Sequence, residues 1–192
     1  MGRCRLCRNG LTSFDALYCV GSYEGRLRDL IHLFKFEHMR QLDRPLGRFL
    51  RTGLPHEIPF DLIVPTPLHW RKRLSRGFNQ ADLLARELSR SAGIPVARLL
   101  RKTKATIAQS TLSGPERRRN VRGAFRVKNA AELSQKRILL VDDVYTTGAT
   151  ANACAKVLKD AGAQSVAVLT LARADRRVGT GPEAALAVSQ FV

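Results

Sequence analysis

Short apolar runs alternate with longer stretches of helical period along this chain. Residues 16–22, Ala-Leu-Tyr-Cys-Val-Gly-Ser, have the length and composition of a strand. Residues 25–38 follow with Leu27, Leu30, Ile31 and Phe34 at i, i+3, i+4 and i+7, which predicts an amphipathic helix. A second helix is expected over 42–52, until Gly53, Pro55 and Pro59 break the pattern. Residues 61–64 predict a buried strand ended by Pro65-Thr66-Pro67. Asn79 stands where it would cap a helix that runs to Ala92, with Ala81, Leu84, Ala85 and Leu88 on one face and Gly93 past the end. Short strands are expected at 96–100, 125–127 and 138–141, a helix at 149–161 with Cys154, Val157, Leu158 and Ala161 inward, and a last buried strand at 166–172. Such alternation predicts an α/β domain around a mostly parallel sheet flanked by helices. Residues 101–123 are polar, basic and poorly periodic, and read as a long loop; loops of that length in a compact domain usually serve function.

One junction in this pattern carries the chemistry. Ile138-Leu139-Leu140-Val141 runs directly into Asp142-Asp143, then into Val144-Tyr145-Thr146-Thr147-Gly148-Ala149-Thr150. A buried strand would thus end in two carboxylates, and a loop of small residues would open onto a helix. Such a loop offers backbone N–H groups and the positive end of a helix dipole to an anion. Thr146, Thr147 and Thr150 add hydroxyl donors, and Gly148 lets the backbone approach a phosphate closely. The site therefore suits a ligand with hydroxyls or a metal at one end and a phosphate at the other.

This string resembles the motif with which type I phosphoribosyltransferases bind 5-phosphoribosyl-1-pyrophosphate (PRPP). The resemblance implies that Asp142 and Asp143 hold the ribose hydroxyls and act as the catalytic carboxylates. It implies that Thr146, Thr147, Gly148, Ala149 and Thr150 hold the 5′-phosphate. Tyr145 is bulkier than the aliphatic residue usual at its position.

Composition widens the picture. The chain has 192 residues, 44% of them hydrophobic, enough for one domain with its own core. No apolar stretch approaches the roughly 20 residues of a membrane span. The N-terminal residues have charges without the apolar run of a secretory signal, so a cytoplasmic location with reduced cysteines is expected. Lys and Arg total 33 against 16 Asp and Glu, a formal net charge of +17. Nine basic residues and one acidic residue lie between Arg98 and Arg126, and four basic and no acidic between His69 and Arg76. Pyrophosphate needs two or three cations. The surplus has two readings, a plain solvated surface or a site for a polyanion such as single-stranded DNA or RNA.

Three further strings narrow the family. They are residues 64–80 with Arg76-Gly77-Phe78-Asn79-Gln80; the spread set Thr103, Gln109, Leu112, Arg117, Asn120, Val121 and 123–125; and residues 23–31 followed by Lys35-Phe36. Together they resemble the competence protein F (ComF) family, over about residues 4–172. The resemblance implies a pyrophosphate loop at 65–73, with Pro65, Thr66, Arg71, Lys72 and Arg73 as its binding residues. It also implies a flexible loop that closes over PRPP, with Arg101, Lys102, Lys104, Gln109 and Arg117. A closing loop would exclude water from the activated ribose. Phe78 reads as a core or hinge anchor. Asn79 and Gln80 have two readings, a helix cap with a solvated neighbour, or residues that order the pyrophosphate loop.

Cys4-x-x-Cys7 has the spacing of one zinc knuckle. The family usually carries an N-terminal zinc ribbon built from two such pairs, so residues 1–15 are expected to be a truncated remnant with half a Zn²⁺ site. Residues 16–175 would form the phosphoribosyltransferase-like domain and 176–192 a C-terminal tail. Cys19 and Cys154 read as buried structural residues.

Three functions remain open on this reading. One is Mg²⁺-dependent transfer of 5-phosphoribose from PRPP to an acceptor, a glycosyltransferase reaction of nucleotide metabolism. The second is a competence factor in DNA uptake that binds single-stranded DNA and partner proteins. The third is a PRPP sensor without turnover. A homodimer is one assembly the sequence leaves open. No glutaminase-like nucleophile is visible.

Overall fold

The computed structural model describes residues 12–36, 39–70, 74, 77–104, 121 and 123–174. Its centre is a four-stranded sheet in the order β1-β6-β5-β2. The strands are β1 (Ala16–Ser22), β2 (Leu62–Pro65), β5 (Arg137–Tyr145) and β6 (Ser165–Arg173), and every pairing among them is parallel. A separate antiparallel pair joins β3 (Leu100–Lys102) to β4 (Phe125–Val127). The helices are α1 (Gly25–Phe36), α2 (Asp43–Arg51), α3 (Gln80–Ala92) and α4 (Ala149–Asp160). This is the α/β architecture that the hydrophobic pattern predicts.

Period two distributes the core between the two faces of the sheet. Ile138 and Leu140 of β5, with Val166 and Val168 of β6, pack with Cys154, Ala155 and Leu158 of α4 and with Leu100 and Phe125 of the β3–β4 pair. Leu139 and Val141, with Ala167, Leu169 and Leu171, pack against Ile31 and Phe34 of α1, Leu46 and Leu50 of α2, and Leu84 and Leu88 of α3. Both faces being covered, the central strands read as unbroken apolar runs rather than alternating ones.

Several boundaries differ from expectation. The motif strand does not stop at Val141 but continues to Tyr145, because β6 offers it a paired neighbour that far: Asp142 pairs with Thr170 and Tyr145 with Arg173. No strand spans 96–100. Val96 makes a single bridge to Ile63, and the strand that forms is Leu100–Lys102, paired with β4. Leu30 is 39% exposed, because the stripe of α1 centres on Leu27, Ile31 and Phe34. Val157 and Ala161 are only partly buried. Cys19 is partly buried, and its Sγ accepts a hydrogen bond from Thr170 Oγ1 at 3.2 Å. Phe14, before the expected boundary at residue 16, is buried in the core. Cys4, Cys7 and the tail from residue 175 lie outside the described residues.

Candidate functional site

The acidic pair lies near the carboxyl end of β5, the end at which ligands bind in open parallel sheets. Successive residues of a strand face opposite sides, and the two carboxylates have different surroundings as a result. Asp143 turns toward α1 and meets Lys35, Nζ to Oδ1 at 2.8 Å. Asp142 accepts the backbone N–H of Asp143 at 3.0 Å, takes a hydrogen bond from the Thr66 hydroxyl, and feels the field of Lys35 only at a distance. Part of its surface is reachable by water, yet protein crowds its carboxyl. Burial first, and the charge of Asp143 second, push its pKa up to about 7. The two acids therefore differ: Asp143 is paired with an ammonium, and Asp142 is drawn toward its protonated form.

The small-residue loop spans Thr146–Gly148 and feeds α4. Gly148 sits at the helix N-cap with φ of 71°, in the left-handed region. A Cβ there would also run into the ring and hydroxyl of Tyr145. Glycine is thus required twice, by backbone geometry and by the bulky tyrosine packed over it. The Ala149 N–H reaches Thr147 Oγ1 at 3.4 Å, and Asn152 N–H donates to Gly148 O at 2.8 Å. The first-turn N–H groups of such a helix have no intrahelical acceptors. Ala149 is buried and Thr150 partly so.

The expected pyrophosphate loop begins beside the acidic pair. Pro65 is in register with Val141, and Thr66 N–H donates to Val141 O at 2.9 Å. Asn79 occupies the N-cap position of α3, but its side chain does not cap the helix. Asn79 Nδ2 donates instead to Thr66 O at 2.9 Å. Gln80 is not a solvated neighbour. It is 2% exposed, and its Nε2 reaches Phe34 O at 3.4 Å and Lys35 O at 3.5 Å. Phe78 stacks on Phe34 with ring centroids 5.7 Å apart. Phe78-Asn79-Gln80 therefore ties the start of the loop and the Lys35 end of α1 to one helix. Arg71, Lys72 and Arg73 lie outside the described residues.

Of the expected flexible-loop residues, Gln109 and Arg117 also lie outside the described residues. Arg101 and Lys104 are exposed. Lys102 is half-buried, with Nζ 5.5 Å from the centroid of the Phe125 ring. Its charge and that of Asp142 are both felt at buried Cys154, whose pKa burial raises well above its usual value.

Sequence reasoning did not assign Lys35 to the site. The signal was present: Lys35 follows Ile31 by four positions and Leu27 by eight, so a lysine falls beside the buried stripe of α1.

A divalent cation would find a poor donor set here. Among the described residues no three His, Cys, Asp or Glu side chains converge. Of the two carboxyls present, one is already paired with an ammonium and the other is drawn toward its protonated form. The acidic pair does not by itself fit Mg²⁺. Among the described residues no helix is long and apolar enough to cross a membrane.

Comparison with known proteins gives a consistent result. The family model described as phosphoribosyl transferase domain matches residues 74–191. The chain is 36% identical over 179 residues to competence protein F of Haemophilus influenzae, covering 89% of this chain and 78% of that protein. It is 34% identical over 178 residues to DNA utilization protein YhgH of Escherichia coli K12, covering 88% and 77%. It is 31% identical over 172 residues to competence protein ComFC of Streptococcus pneumoniae, covering 88% and 73%. A solved structure of the allosteric regulatory enzyme of purine biosynthesis aligns with 68% of this chain and a quarter (25%) of its own, at 21% identity and a TM-score of 0.48.

Proposed function

The chain belongs to the competence protein F family of phosphoribosyltransferase-domain proteins, and from that premise we propose that it binds PRPP through Asp142, Asp143 and the Thr146–Thr150 loop. The observation that carries this reading is the juxtaposition at the end of β5. Two carboxyls in different protonation environments stand directly before a Thr/Gly loop that opens α4. Asp143 as a carboxylate accepts from a ribose hydroxyl. Asp142, near its midpoint, accepts in one form and donates in the other. The loop N–H groups and the hydroxyls of Thr146, Thr147 and Thr150 take the 5′-phosphate. Pro65 and Thr66, with the basic residues 71–73, take the pyrophosphate, and Arg101, Lys102, Lys104, Gln109 and Arg117 close over it.

In phosphoribosyl transfer the bond from ribose C1 to the pyrophosphate oxygen breaks and a bond to the acceptor nucleophile forms. The acceptor loses a proton and pyrophosphate leaves with the bonding electrons. The carboxylates would face the positive charge that develops on the ribose, and the basic loops the negative charge on the leaving group. Mg²⁺ belongs to this proposal only as the counter-ion that arrives with PRPP.

Calorimetric titration of PRPP with Mg²⁺ into the parent protein and into Asp142→Asn/Asp143→Asn tests the reading. Binding by the parent and a loss of at least about 100-fold in the variant is expected, since two charge-assisted contacts are removed. No binding by either protein overturns it. Binding without turnover for any acceptor would identify a sensor.

A second reading has its own observation, the net charge of +17. Contact with single-stranded DNA would be mostly electrostatic and would weaken steeply with salt. The names of the relatives, competence and DNA utilization, are in keeping with it. A fluorescent oligonucleotide titrated at rising salt tests it, and binding that is insensitive to salt would count against it.

A further inference from the structure

Lys35–Asp143 is unlike the other ion pairs among the described residues. Its side chains are only 17% and 14% exposed. Every other described pair has a partner at least 37% exposed. A lysine ammonium loses much of its hydration in such a place and needs a compensating role. Its position is also built. The 2%-exposed Gln80 amide reads the carbonyls of Phe34 and Lys35, and Phe78 braces Phe34. The same short segment fixes Thr66 through Asn79. The lysine and the start of the expected pyrophosphate loop are therefore held by adjacent residues.

We propose that Lys35 is the resident cation of the sugar site, a binding residue that lets the acidic pair take a phosphorylated ribose without a divalent metal. The proposal rests on the sugar-phosphate reading above. A divalent ion seated on Asp143 would lie within a few ångströms of the ammonium and be repelled by it. A ribose hydroxyl meets no such conflict. It donates to the carboxylate, and its oxygen accepts from the ammonium, which has three N–H bonds to share between Asp143 and a ligand. The charge a metal would bring to the ribose is already supplied by the protein at 2.8 Å from Asp143. The site thereby selects a sugar phosphate over a bare metal ion, and phosphate-bearing ligands gain from a cation fixed in advance.

The probe is ribose 5-phosphate, which has the hydroxyls and the 5′-phosphate but no pyrophosphate to carry Mg²⁺. Affinities are measured in EDTA and in Mg²⁺ for the parent, Lys35→Met and Lys35→Arg, with circular dichroism melts of each. The parent is expected to bind equally in the two buffers, within about twofold. Lys35→Met should lose about tenfold or more in EDTA and recover part of it in Mg²⁺, and Lys35→Arg should stay within about threefold of the parent. A parent that binds tenfold more weakly in EDTA overturns the assignment while leaving the sugar-phosphate reading intact. So does Lys35→Met binding as tightly as the parent in EDTA. If the parent binds neither ribose 5-phosphate nor PRPP in either buffer, both proposals fall. Should Lys35→Met not fold, the metal dependence of the parent and of Lys35→Arg decides the question.

Discussion

Carboxylates in opposite circumstances meet β5 near its two ends. Near its start, Arg137 meets Asp61, which precedes β2, through two side-chain contacts of 3.0 Å, and the Arg137 backbone N–H donates to the same carboxylate at 2.8 Å. Those hydrogen bonds hold the Asp61 pKa well below the usual carboxylate range. Five residues on from Arg137, burial and a neighbouring like charge push Asp142 up to about 7. Both carboxyls are held against the same strand, Asp61 by Arg137 at its start and Asp142 as one of its own residues, yet only the first is satisfied by its surroundings. Charge satisfied within the fold is structural. Charge left partly unsatisfied, beside a loop of hydroxyls and N–H donors, is what a ligand can complete.

The largest expected effects separate the two ends by function. Asp142→Asn/Asp143→Asn should abolish measurable PRPP binding while the protein stays folded. Asp61→Asn should leave PRPP affinity unchanged, as read by calorimetry. If Asp61→Asn weakens binding as much, the ends are not distinct.

Next comes the loop that makes the carboxyl end a site. Gly148→Ala should cost about 2 kcal/mol, from left-handed strain and from overlap with Tyr145. It should also weaken ribose 5-phosphate by about tenfold, since small displacements at a binding loop are costly. The double variant Gly148→Ala/Tyr145→Val relieves the overlap but not the strain, so its melting temperature should recover only in part.

The sign of the pH dependence sharpens the contrast. The folded-state pKa of Asp142 lies above its unfolded value of 3.8. Between those values the folded chain holds the extra proton, so this group's contribution makes unfolding easier as pH rises toward 7 and beyond. Asp142→Asn should therefore raise the melting temperature at pH 8, by an amount corresponding to about 1–2 kcal/mol, and change it little at pH 4. Asp61 behaves in the opposite way. Its pKa is lowered, so its stabilisation is present above about pH 4 and is lost as pH falls below that. The smallest effect follows. Asp61→Asn should lower the melting temperature slightly at pH 7, less at high salt, and not at all in strong acid, because the pair is solvent-accessible.

Much of the fold was legible because burial writes itself into local pattern. The strands at 16–22 and 125–127 stand where their composition places them, and α3 buries Ala81, Leu84, Ala85 and Leu88 as its spacing requires. The extension of β5 through the acidic pair was not legible, since hydrogen bonding to β6 and not side-chain polarity decides where that strand ends. The strand expected at 96–100 failed for a related reason. Apolar residues there had one bridge available, whereas 100–102 had β4 as a partner. Asn79 shows the limit at a single residue. Its position before α3 is that of a cap, but a carbonyl at Thr66, 13 residues away, took its side chain.

The order of residues was enough for the family, the acidic pair, the Thr/Gly loop after it and the α/β alternation, because each lies within contiguous stretches whose spacing constrains their geometry. The tertiary structure alone decided that the two adjacent acids differ. Alternation along β5 sends Asp143 to Lys35, 108 positions earlier in the chain, and leaves Asp142 crowded against Thr66 and Asp143. Electrostatic environment depends on distance in space and on exclusion of water, and neither is written in the order of residues.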